Sequence, residues 1–116
     1  MGSKMRCPLT LQPALVLFEE NISSDKKIRA HAVIAGRVQG VFFRMETKRA
    51  ADHAGVFGWV RNKRDGNVEA LFEGNEESVK LVLEWCRKGP PLACVKSVDI
   101  ELENYKGEFN EFEITY

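Results

Sequence analysis

Histidine, cysteine and proline are all scarce in this chain of 116 residues, at two, three and four copies. His31 and His53 are too few and too isolated for a histidine-based metal centre. Cys7, Cys86 and Cys94 are odd in number and lack motif spacing, which excludes a disulfide framework and a zinc site. Free thiols in a small chain point to a reducing compartment, so cytoplasm is the expected location. An excess of charge of either sign is also missing: 17 Lys and Arg balance 17 Asp and Glu, and the pI is near 6.7. Gripping nucleic acid needs a basic surface, so nucleic acid is excluded as a principal partner. A small local anion site stays open.

No long apolar run is present. Pro8 to Phe18 carries no charge, but it is shorter than the ~20 residues a membrane helix needs. Gln12 and Pro13 interrupt it, Glu19-Glu20 follow, and no small-x-small cleavage site is visible, so a secretory signal and a membrane partner are both disfavoured. What is there is ordinary globular composition, 44% hydrophobic and 29% charged. At this length one domain is expected. Residues 1–25 read as an extension, flexible or loosely docked, in which Leu15 to Phe18 could add a short strand. Residues 26–116 read as the domain, taken to be a monomer.

Alternation predicts a first strand over Lys27 to Ala35, with Ile28, Ala30, Ala32 and Ile34 on one side and Arg29, His31 and Val33 on the other. Phe43, Thr47, Ala50 and Ala54 recur at helical spacing, so a helix starts near Phe42 and stops at Gly55. Val56 to Arg61 and Asn67 to Glu73 read as strands joined through the Asp65-Gly66 turn. A second helix covers Glu76 to Lys88, capped by Asn75 or Gly74, with Val79, Val82, Leu83 and Cys86 as its apolar stripe. Val98, Ile100 and Leu102 alternate in a fourth strand; Phe112, Ile114 and Tyr116 alternate in a last one. The order β-α-β-β-α-β plus one strand predicts an α+β fold, a ferredoxin-like sandwich with two helices on one face of an antiparallel sheet.

A fold of this kind hosts many functions, so local chemistry must decide. Gly36-Arg37-Val38-Gln39-Gly40-Val41-Phe42-Phe43-Arg44 puts two glycines around a short loop between a strand and a helix N-terminus. Consecutive amides there can converge on an anion, and the planar fork of Arg44 suits phosphate oxygens. A plain glycine turn with a solvated arginine is the competing reading of this loop alone. In Gly58-Trp59-Val60-Arg61-Asn62, the asparagine ends a strand. It is either an ordinary turn residue or a group that orients a water or a substrate oxygen.

Taken together, these segments resemble the acylphosphatase family. Gly36 to Arg44 matches Gly-x-Val-Gln-Gly-Val-x-Phe-Arg in full, and Gly58 to Gly74 matches the second signature, Gly-aromatic-Val-basic-Asn followed by x-x-x-Gly-x-Val and a later glycine. The ending Phe112-x-Ile114-x-Tyr116 fits too, so the resemblance spans about Lys27 to Tyr116. It implies hydrolysis of an acyl phosphate, a small-molecule substrate, to carboxylate and inorganic phosphate. It implies that the amides of Arg37, Val38, Gln39, Gly40, Val41 and Phe42 cradle the phosphate, that Arg44 binds it, and that Asn62 positions the attacking water. No metal and no organic cofactor is implied. Chemistry agrees: a carboxylate leaves readily, and phosphoryl transfer depends mainly on positioning and charge stabilisation.

Two other classes compete. A non-catalytic module sensing a phosphorylated metabolite would not need both Arg44 and Asn62. An RNA-binding sheet would need paired aromatics on its central strands, whereas Val68 to Glu73 offers one and the first strand none.

Overall fold

The computed structural model describes residues 26–116, so the expectations for residues 1–25 lie outside the described residues. The elements follow the predicted order: β1 Lys27–Arg37, α1 Phe43–Ala54, β2 Phe57–Asn62, β3 Val68–Asn75, α2 Glu76–Lys88, β4 Cys94–Glu103 and β5 Phe112–Ile114. The sheet order is β4-β1-β3-β2-β5. Alternation decides which face is buried. Ile28, Ala30, Ala32 and Ile34 of β1 lie beside Val68, Ala70 and Phe72 of β3, and all are buried. The helices cover this face, α1 over β2 and β5, α2 over β1, β3 and β4.

The stripe of α1 is Phe43, Thr47 and Ala51, with Ala51 fully buried where Ala50 was expected. Its C-terminus is closed by Gly55, whose amide donates to the carbonyls of Ala51 and Asp52. The stripe of α2 is Val79, Val82, Leu83 and Cys86, as predicted. Asn75 is its N-cap position but makes no side-chain cap bond. Phe43, Phe72 and Phe112 are large, fully buried side chains, each worth roughly 1.5–3 kcal/mol in area removed from water.

Two expectations need correction. The sheet is mixed, not antiparallel, because β5 runs parallel to β2. Residues Glu103, Arg29, Glu73 and Phe57 lie in register across four strands. Thus β4 ends at the edge where β2 begins, and a chain that crosses there and re-enters must run in the direction of β2. The crossing is pinned by Glu73, a buried carboxylate that accepts from the amides of Lys106, Gly107 and Glu108 at 2.9, 3.2 and 3.2 Å. The second correction concerns the thiols. Cys86 is free and buried, and burial pushes its thiol up to about 12. Cys94, by contrast, is disulfide-bonded. The cysteines therefore no longer argue for a reducing compartment. Among the described residues no helix is long and apolar enough to cross a membrane.

Candidate active site

β1 runs two residues beyond its predicted end, as far as Arg37, which pairs with Cys94 of β4 after a register shift at Ala35/Gly36. At Gly36 (φ 124°) the backbones of the two strands come so close that a side chain would collide with the carbonyl oxygen of Cys94. That close approach ends the strand and releases the loop 38–42 toward α1. Gly40 (φ 75°) and Phe42 (φ 68°) both lie in the left-handed region. For Gly40 this is the ordinary use of glycine. For Phe42, the N-cap position of α1, it is a costly conformation, of order 1–3 kcal/mol, for a bulky residue. Among the described residues, backbone hydrogen bonds formed outside helices and strands include none donated by the amides of residues 38–42. The first amides of α1 are likewise free by the geometry of a helix start.

Beneath the loop lies a cavity of about 320 Å³ lined by Val38, Gly40, Phe42, Phe43, Arg44, Met45, Asn62, Ile114 and Tyr116. The sequence-predicted site residues thus divide. Val38, Gly40, Phe42, Arg44 and Asn62 meet at one cavity. Arg37 belongs to the end of β1, and Val41 turns into a neighbouring groove. Gln39 points its side chain elsewhere. Its Nε2 donates to the carbonyls of Lys63 and Asn67 at 2.8 and 2.9 Å. That staples the loop to the turn between β2 and β3. The same turn is closed by the amide of Lys63 donating to Asn67 (2.8 Å) and by Asp65 accepting from the amide of Asn67 (3.0 Å). The positions of Arg44 and Asn62 are thereby coupled through Gln39. No local pattern revealed this role, because its partners lie 24 and 28 residues away.

Arg44 forms no ion pair among the described residues; its guanidinium sits over the ring of Tyr116 at 5.2 Å. A cation so placed is oriented without being neutralised. Asn62 ends β2 opposite Val68. Its Oδ1 is buried and has no hydrogen-bond partner among the described residues. Leaving an acceptor in that state costs about 1–3 kcal/mol unless a ligand or water supplies a donor.

The other singled-out residues lie apart from the cavity. His31 is half-buried on the open face of the sheet, 2.7 Å from Glu69, and His53 is in the last turn of α1. Trp59 is also on the open face, under the guanidinium of Arg61 at 5.5 Å. Lys63 pairs with Asp65 at 3.8 Å. Among the described residues no group of three or more His, Cys, Asp and Glu is arranged to hold a metal ion.

The acylphosphatase family model matches residues 30–114. The chain belongs to the acylphosphatase family. It is 53% identical over 92 residues to the acylphosphatase of Syntrophobacter fumaroxidans, covering 79% of this chain and 94% of that one. The acylphosphatase of Pelotomaculum thermopropionicum is 49% identical over 90 residues, 78% of this chain and 98% of its own. Among solved structures, the Bacillus subtilis acylphosphatase superposes with a TM-score of 0.74 at 32% identity, covering 77% of this chain and 99% of that chain. The fold, the family and an acylphosphatase activity are thus settled together: the substrate is an acyl phosphate and one product is inorganic phosphate.

Proposed function

We propose that residues 26–116 carry the activity, and that the cavity divides the work between two side chains and the loop. The phosphoryl group of the substrate lies under the amides of residues 37–42, with Arg44 on its equatorial oxygens. A water held by Asn62 attacks phosphorus in line with the carboxylate oxygen. The new P–O bond forms as the P–O bond to the acyl group breaks, and the carboxylate leaves with the bonding pair. No cavity side chain is a base near neutrality, so the water proton passes to a phosphate oxygen and departs with inorganic phosphate.

The observation that carries this reading is the buried Oδ1 of Asn62, without a partner among the described residues, in the same cavity as Arg44, which has no ion pair among them. An amide oxygen takes no proton at neutral pH, but it accepts a hydrogen bond and can fix the lone-pair direction of a water. Arg44 and the loop amides supply the positive potential that developing equatorial charge requires. That stabilisation replaces what a bound metal would contribute, so turnover is expected to survive exhaustive chelation.

Asn62→Ala tests the division of labour. Turnover should fall by ~10²-fold or more, while the inhibition constant of inorganic phosphate changes little. An equal loss of phosphate affinity with preserved kcat would place Asn62 on the substrate instead of the water.

A further inference from the structure

The cavity has more apolar wall than a phosphate can use. Phe42 (62% exposed), Met45 (49%) and Tyr116 (93%) stand around its mouth, and none of them is needed to hold an anion. Phe42 is the informative member. Its backbone is held in the left-handed region, yet its ring is not used in the core. The same ring is the wall shared with a second, apolar groove of about 170 Å³, lined by Val41, Phe42, Glu46, Pro90, Pro91 and Leu92. Leu92 is 59% exposed there, next to the exposed Pro91 and the buried Pro90, whose rings fix the backbone beneath it. Large apolar side chains scattered singly over a surface need no explanation. A contiguous set that begins at a catalytic cavity and continues past one strained aromatic does.

We infer that this groove is the subsite for the acyl group of the substrate, and that it selects an uncharged, extended apolar acyl chain. The inference rests on the phosphate position proposed above. With phosphorus under loop 38–42, the acyl carbon leaves the cavity at its mouth, where Phe42 turns it toward Leu92. Among the described residues that line the groove, Glu46 is the one ionisable side chain, and it pairs with Arg49 at 3.7 Å. An acyl group ending in a second carboxylate or phosphate meets that negative charge, and a short one such as acetyl never reaches the groove. Chain length and charge are thus read separately from the phosphate.

Binding of non-hydrolysable phosphonates tests this independently of turnover. Hexylphosphonate and methylphosphonate are titrated calorimetrically into the full chain, wild type, Leu92→Ala and Leu92→Glu. Leu92 is exposed and outside the phosphate loop, so neither change threatens the fold. The wild type should bind hexylphosphonate at least about tenfold more tightly. Leu92→Ala should remove roughly fivefold of that preference, Leu92→Glu all of it, with methylphosphonate affinity unchanged in both. Equal affinities in the wild type overturn the subsite, as does a loss that falls on both ligands alike. So would a change in oligomeric state on mutation with both affinities intact, since the groove would then be covered by a second copy. Failure of the hydrolytic reading looks different: hexylphosphonate keeps its advantage while hexanoyl phosphate is not turned over.

Discussion

Arg29 and Arg44 carry the same group and use it differently. Arg29 reaches Glu73 and Glu103 at 3.1 Å and Glu108 at 3.3 Å, and lies over the ring of Phe109. Burial works against its charge, but Glu108 and Glu73 outweigh burial and hold it more firmly protonated. It fastens the β4–β5 crossing to the sheet and has nothing left for a ligand. Arg44 meets an aromatic ring instead of a carboxylate, so its five donors remain available to an incoming anion. Arg44→Ala should therefore keep its melting temperature within about a degree, a half-buried charge with no ion pair among the described residues contributing little. Its turnover of an acyl phosphate should fall by ~10²–10³. Near-wild-type rates from a folded Arg44→Ala protein would remove Arg44 from the site. Arg44 and Asn62 were singled out in sequence by the two family motifs together, the glycine-bracketed loop and the strand-end asparagine each leaving a plain turn open; the structure brings both to one cavity. The burial of Asn62 Oδ1 and the left-handed backbone at Phe42 were not legible in sequence. They depend on what packs around them, and nothing in the residue names carries that.

At the scale of elements, the open face of the sheet is held by charge where the other face is held by apolar packing. Glu69 of β3 accepts from Arg61 Nε at 2.8 Å on one neighbouring strand and lies 2.7 Å from His31 Nε2 on the other. Burial raises its pKa, but the bonds to His31 and Arg61 outweigh burial and leave it below the ordinary glutamate range. A carboxylate whose folded-state pKa is depressed contributes stability fully above its unfolded pKa and loses it as pH falls through the folded value. Thermal melts across the acid range should show this. Glu69→Gln should be less stable than wild type at neutral pH, and the gap should close below the usual carboxylate range. A gap that stays constant with pH would mean that packing, not charge, holds the three strands at Glu69. Periodicity found every element here, since alternation and the three-to-four spacing are local. Alternation marked only Val98, Ile100 and Leu102 within β4, which begins at Cys94, because Cys94 and Val95 pair with Arg37 and Gly36 across the register shift. Strand pairing of that kind leaves no periodic trace.

For the whole molecule, the unreadable feature was the direction of β5. Two apolar residues at alternate positions fit a parallel strand as well as an antiparallel one. What decides is where the chain re-enters the sheet, and that is fixed by Glu73 gathering three amides 33 to 35 residues further on. The consequence reaches the site: running parallel to β2, β5 brings Ile114 into the cavity wall alongside Asn62, with Tyr116 just beyond it. The core, the crossing and the loop staple thus converge on one cavity, and the central claim is that water attacks phosphorus there. The direct measurement is turnover of a synthetic acyl phosphate in water labelled with heavy oxygen, with a chelator present, followed by mass analysis of both products. Attack at phosphorus puts the label in inorganic phosphate and leaves the carboxylate unlabelled, which is the result expected. Label in the carboxylate would mean attack at the acyl carbon, and the roles proposed for Arg44 and Asn62 would be wrong.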